Sequence, residues 1–268
     1  MPTPRLSTRL RFQLLDIDTS KDGFIMASTA DAGTQRFNAE AAAWDTQPAV
    51  LEATRQAFEA LQPLIRSFTA KKGSNLDVLE FGCGTGLLSM QVAPLVSEIV
   101  AIDLAEGMVD MLRAKLEKPD SPKNILPICK LLMDPEDPIL PPADVNSPDG
   151  NRRKFDLITS HLVLHHVPDL RPFLHTLIGC LKPGGRVALT DYEDFGEQAK
   201  KFHPKEKWDT CERHGIQREW MEGLMKEVGF TEVNVRVAWT LKKDVERLQE
   251  GDEDIMDFPF LICEGARP

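Results

Sequence analysis

The residues with the clearest chemical potential lie in one run, Val78-Leu79-Glu80-Phe81-Gly82-Cys83-Gly84-Thr85-Gly86. Its glycines let the backbone turn sharply and approach a ligand closely. An apolar strand pattern over 77–81 precedes it and a helical pattern over 87–96 follows, which is the setting of a nucleotide-binding turn. Asp103 closes the next strand pattern, 21 positions after Gly82. A carboxylate there can accept two hydrogen bonds from a ribose diol. Three ligand classes compete for such a turn. A dinucleotide turn needs glycine at 87, where Leu87 stands, and a phosphate loop needs a terminal GK[ST], which is missing. Glu80, just before the turn, repels a pyrophosphate and suits a nucleoside carrying an ammonium or a sulfonium.

Histidine is the side chain that exchanges protons near neutral pH. The chain has six, at 161, 165, 166, 175, 203 and 214. His175 sits inside a helical pattern and reads as structural. His161 follows the fourth strand pattern, while His203 and His214 fall in a polar, irregular stretch over 193–217. No HxH or HxxxH spacing occurs among 161, 203 and 214, so no metal is expected. The five cysteines (83, 129, 180, 211 and 263) are odd in number and form no CxxC pair, which points away from a disulfide framework and toward a reducing compartment. Cys83 has no basic neighbour to lower its pKa and reads as a small residue in a tight turn.

These residues need a frame. Apolar positions recur with helical spacing from Val50 to Phe68, after a shorter Ala-rich helix over Thr34–Trp44. Strand patterns then follow at 77–81, 98–102, 125–132, 155–160, 186–191, 232–241 and 259–264, with helical patterns at 87–96, 105–116, 170–181 and 218–228. Lys182-Pro183-Gly184-Gly185 reads as a turn. Such alternation predicts a mostly parallel sheet covered on both faces, with ligands at the carboxyl ends of its strands. Residues 1–34 are expected to form a disordered or weakly docked arm. Arg5, Arg9 and Arg11, with no acid before residue 16, also resemble a transit peptide, and Met26 offers an alternative start. The formal net charge of −10 disfavours a nucleic-acid partner. No apolar run approaches the ~18 residues a membrane span requires.

Four runs taken in order, VLEFGCGTG, AIDLAEGM, FDLITSHLVLHHVPD and LKPGGRVALTDY, resemble class I S-adenosylmethionine-dependent methyltransferases, with the flavour of the ubiquinone/menaquinone-biosynthesis type. The resemblance covers about residues 35–268. It implies an α/β, Rossmann-like doubly wound sheet of seven strands, mostly parallel with an antiparallel last strand, and S-adenosylmethionine as cofactor. It implies a helical lid over 35–72 and a substrate insertion loop over 193–217. By the same resemblance, Gly82, Cys83 and Gly84 line the methionine part of the cofactor, with Glu80 beneath it. Asp103 binds the ribose, Leu104 and Met108 pack on the adenine, and Trp44 belongs to the lid. Asp134 stands slightly after the position where the family places an acid against the adenine amine. Ser160 and His161 border the methionine part and the acceptor mouth. His165-His166 shapes the loop after the fourth strand. His161 and His214 are the expected catalytic residues, and His203 is a further candidate for acceptor contact.

The expected reaction is in-line methyl transfer to a small, partly apolar acceptor, with Phe195, Phe202, Trp208 and Trp220 available to line a pocket. The Asn/Asp-Pro-Pro-aromatic run of nucleic-acid amino-methylating enzymes is missing after Ser160. Two alternatives stay open. One is a protein methyltransferase acting within a complex and gripping a basic tail with the acidic stretch 246–254; the other is a cofactor-binding partner subunit without activity. The expected compartment is the cytoplasm, with nucleus and mitochondrion left open.

Overall fold

A computed structural model describes residues 22–73, 75–247 and 254–268. Two helices, α1 (Asp22–Trp44) and α2 (Pro48–Lys72), lead into β1 (Asp77–Phe81), α3 (Leu87–Val92), β2 (Glu98–Asp103), α4 (Glu106–Leu116) and β3 (Ile125–Cys129). The second half runs β4 (Phe155–His161), α5 (Leu170–Cys180), β5 (Leu181–Tyr192), α6 (Arg218–Val228), β6 (Thr231–Asp244) and β7 (Ile255–Ala266). The strands form one sheet in the order β3-β2-β1-β4-β5-β7-β6. Strands β1 to β5 pair in parallel, and β7 is antiparallel to both β5 and β6.

Strand alternation explains the two cores. Side chains of successive residues point to opposite faces of a sheet. Leu79 and Phe81 therefore join Ile158, Val187 and Leu189 under α5 and α6. Val78 joins Ile99, Leu157 and Ala188 on the other face, against Leu61 and Ile65 of α2 and Leu88 of α3. Leu79, Ile99, Leu157 and Val187 are fully buried; burial of each such side chain contributes about 1.5–3 kcal/mol. Strands β2 and β4 flank β1 on opposite sides, so the chain reverses its direction of winding there. That switch opens a crevice beyond the carboxyl ends of β1, β2 and β4.

Three boundaries differ from the sequence reading. Helix α1 begins at Asp22, ahead of the Thr34 start expected for this helix; residues 1–21, including the transit-peptide resemblance, lie outside the described residues. The Lys182–Gly185 run is absorbed into the start of β5. There Lys182 Nζ is 2.8 Å from both Asp77 and Asp156, which ties β1, β4 and β5 together. Strands β6 and β7 extend on both sides into the acidic excursion, of which residues 248–253 lie outside the described residues. The insertion over 193–217 holds two short 3-10 turns, 199–202 and 205–210, and pairs Glu193 with Ile216.

Candidate functional site

A cavity of about 680 Å³ occupies the crevice. Glu80, Gly82, Cys83, Gly84, Asp103, Leu104, Met108, His161 and Trp44 all line it. The turn after β1 is held by Gly82 and Cys83, whose N–H groups donate to the Ile102 carbonyl of β2 at 2.8 and 3.0 Å. Gly82 has φ +67°, and a Cβ on it would lie 2.2 Å from Val163, so only glycine fits. At Gly84, φ +53°, a Cβ would meet no atom within 4 Å, which leaves its backbone open to a ligand.

Two carboxylates face this turn. Asp103 accepts the Gly84 N–H on Oδ2 and the Ala105 N–H on Oδ1, both at 2.8 Å. It thus clamps the glycine turn to the start of α4, and each oxygen keeps a further lone pair for a ligand. Burial pushes its carboxyl upward, and these backbone donors pull it back. Glu80 is 3% exposed, and among the described residues its hydrogen-bond partner is the Ser89 hydroxyl, which donates to Oε2 at 2.5 Å. Burial, and secondarily the nearby Asp103 charge, raise its carboxyl to about 8, with the Ser89 bond opposing. A buried acid in that state lacks a counter-cation, and a ligand bearing positive charge would supply one. These residues fit the methionine, sulfonium and ribose portions of S-adenosylmethionine. A pyrophosphate would meet two carboxylates.

The apolar end lies between α4 and the segment after β3. Met108 is 2% exposed, and Leu104, Leu131 and Met133 are partly solvent-exposed, an arrangement suited to a flat base. Helix α1 closes the top. Trp44 meets Phe37 edge-on at 5.7 Å between ring centroids, and Phe37 meets His166 at 5.2 Å. Asp45, just past α1, accepts from the Thr85 hydroxyl of the glycine turn and pairs with Lys115 at 2.7 Å. Asn38 Oδ1 accepts the Gly107 N–H at 2.8 Å, and Glu40 pairs with Lys207 at 2.6 Å. The helix is therefore pinned to the turn, to α4 and to the insertion.

His161 borders the far wall. Its Nδ1 lies 2.9 Å from Thr190 Oγ1, and that hydroxyl donates onward to the Ser160 carbonyl at 3.2 Å. With its proton committed there, Thr190 accepts from Nδ1–H, which leaves Nε2 as the free acceptor. Nε2 is buried without a partner. Burial holds the imidazole neutral, with its pKa lowered to about 4.

Three expected residues do not reach this cavity. Ser160 is fully buried, and its hydroxyl donates to the Phe81 carbonyl at 2.9 Å; it braces β1 against β4. Asp134 points into its own turn, accepting the Glu136 N–H at 2.8 Å, while Leu131, Leu132 and Met133 fill the lining positions. His214 lines a separate open cleft of about 770 Å³ with Trp208, Trp220 and Glu193. All three thus lie outside the lining of the crevice. Met133, Phe37 and Thr54 line the cavity without having been expected there; Thr54 falls on the periodic face of α2, and Phe37 lies one helical turn from Ala41 on the packed face of α1.

The sheet order, the glycine turn and the paired acids define the class I architecture of S-adenosylmethionine-dependent methyltransferases. A family model described as a methyltransferase domain matches residues 53–235. An uncharacterized methyltransferase of Schizosaccharomyces pombe is 29% identical over 167 residues, which are 61% of this chain and 56% of that protein. A ubiquinone biosynthesis O-methyltransferase of Coxiella burnetii is 29% identical over 110 residues, 41% of each chain. The chain thus spans about half the length of the curated relatives it matches. Among solved structures, the YcgJ protein of Bacillus subtilis superposes with a TM-score of 0.57 at 16% identity, covering 78% of this chain and 98% of that one. The chain belongs to the methyltransferase domain family.

Proposed function

We propose that the protein transfers the methyl group of S-adenosylmethionine to a small, partly apolar organic acceptor by in-line displacement. The observation that carries this reading is the crevice itself: a glycine turn flanked by the buried Glu80 and half-buried Asp103 carboxylates and roofed by α1. The sulfonium supplies the leaving group when the cofactor is bound. What remains for the protein is alignment, holding the donor and acceptor atoms ~3–3.5 Å apart with water excluded.

The residues divide that task. Gly82 and Gly84 let the backbone come close, Glu80 balances positive charge, and Asp103 takes the ribose diol. Leu104 and Met108 receive the base, and Trp44 with Phe37 shuts the opening. His161 stands at the acceptor side with a free Nε2, ready to take a proton from an acceptor hydroxyl or amine as the new bond forms. The mostly apolar lining favours a small organic molecule over a polypeptide, and one relative is a ubiquinone biosynthesis O-methyltransferase.

Profiling of extracts with isotopically labelled methyl donor tests the reading. Label is expected in a low-mass, partly apolar product. Label confined to protein bands would overturn the acceptor class. His161→Gln is expected to lower turnover on that product by about 100-fold or more with cofactor affinity unchanged, in the range of general-base contributions. Equal turnover would remove His161 from the chemistry.

A further inference from the structure

Behind the acceptor wall, the fold gathers four side chains that the methyl-transfer reading does not use. His165 and His166 lie in the short turn after β4; His203 and Cys211 flank the 3-10 turn over 205–210. One ligand atom from each lies within 4.8 Å of every other. The His165 and His166 rings are 3.9 Å apart at their centroids, and His165 and His203 are 5.2 Å apart. Cys211 Sγ and His203 Nδ1 are 3.7 Å apart. Two ligands of one tetrahedral zinc stand roughly 3.5 Å apart, given Zn–N of about 2.0 Å and Zn–S of about 2.3 Å.

Two further observations point to a missing ligand. His165 Nε2 and His166 Nδ1 are buried with no hydrogen-bond partner, and His165 is 1% exposed. Buried polar atoms are ordinarily satisfied, so such orphans call for an explanation. In addition, His165 Nδ1 is 2.9 Å from Asp191 Oδ1, and Asp191 is itself fully buried. Asp191 also accepts the backbone N–H groups of His165 and Tyr192. A carboxylate holding the far nitrogen of a histidine is the outer support that metal-binding imidazoles use.

We propose that His165, His166, His203 and Cys211 form a closed, four-coordinate zinc site that fastens the 199–211 segment to the loop after β4. Three neutral imidazoles and one thiolate make a donor set suited to zinc. On binding, the zinc–sulfur bond forms as the Cys211 thiol releases its proton to solvent, and the imidazoles bind through lone pairs. The ion would face Arg36, Lys207 and Lys243 on one side and Asp191 on the other; the thiolate offsets part of that repulsion. Since protein atoms fill all four positions, no site remains for a metal-bound water, and the role is structural. His166 and Thr210 also line the crevice cavity, so the ion would brace the wall against which the proposed acceptor would rest.

Metal analysis of protein prepared without chelators or a polyhistidine tag, followed by cobalt(II) titration of the chelated protein, tests this. The expected result is equimolar zinc, or equimolar uptake of zinc or cobalt, with a tetrahedral cobalt spectrum carrying a thiolate charge-transfer band. Cys211→Ser should remove that band, and Asp191→Asn should weaken binding by about 10–100-fold. Wild-type protein that neither carries zinc nor takes up either metal overturns the proposal, whatever the variants do. So does an unchanged cobalt spectrum in the His203→Ala, Cys211→Ser double variant.

Discussion

The two ends of the crevice cavity are built on different principles. The β1–β2 end is local in sequence: Glu80, Gly82, Gly84 and Asp103 fall within two strands and their turns, held by short backbone hydrogen bonds. The proposed acceptor end is assembled from distant pieces: Phe37 and Trp44 of α1, His161 at the end of β4, His166 just after it, and Thr210 and Glu212 of the insertion. It is stitched by Arg213, which donates to the carbonyls of Leu164, Val167 and Pro168. The first end is a rigid cradle dictated by a common ligand, and the second is a wall that can vary with the acceptor. Damage to the first should cost binding of every cofactor form, whereas damage to the second should alter turnover and leave cofactor binding nearly intact.

The largest expected effect comes from Asp103→Ala. It removes the proposed ribose partner and frees the Gly84 and Ala105 N–H groups. A loss of about 100-fold in S-adenosylmethionine affinity is expected by calorimetry, equivalent to about 2.7 kcal/mol, within reach of hydrogen bonds to a charged group. Unchanged affinity would break the comparison at its root.

Next comes Glu80→Gln, expected to weaken S-adenosylmethionine binding by about tenfold, with a smaller effect on the demethylated product, which lacks the sulfonium. The pH dependence sharpens this test. In the free protein Glu80 keeps its proton up to about 8, whereas a bound cation favours the ionised form. Affinity should therefore rise with pH, by up to about tenfold per unit, and level off above 8, with proton release on binding. The Gln variant should show neither trend. The same linkage makes the unliganded protein lose stability as pH rises from the ordinary carboxylate range to about 8, because the unfolded chain ionises Glu80 first. Thermal melts across that range check the sign.

Smaller still is Trp44→Ala. Its edge contact with Phe37 is worth about 0.5–1.5 kcal/mol, so a several-fold loss of turnover on the acceptor is expected with cofactor affinity nearly unchanged. At the bottom of the scale, His214→Ala should leave methyl transfer unchanged, because His214 opens onto a different cleft. A large loss there would erase the distinction between the two clefts.

The same contrast explains what was legible in the sequence. Sheet and glycine turn could be read because strand periodicity and turn chemistry are local signals, and β1 through β4 fall close to their expected positions. The place of Asp134 is not legible, because the chain between β3 and β4 has no periodicity to fix its register, and an aspartate there serves its own turn equally well. His214 looked like an acceptor-side residue because its loop does reach that side; only the folded path shows that Thr210 and Glu212 arrive and His214 does not. The four-residue cluster was invisible for the same reason. His166 and His203 are separated by a helix and a full strand, and no short-range ligand spacing announces them. The extension of α1 back to Asp22 was hidden by a segment with little amphipathic contrast.

The most direct test of the central claim is a crystal structure with S-adenosylhomocysteine. The ribose hydroxyls should lie on Asp103, the amino acid portion over Gly82–Gly84 above Glu80, and the base between Leu104 and Met108. A ligand bound elsewhere, or a crevice filled by protein side chains, would contradict it.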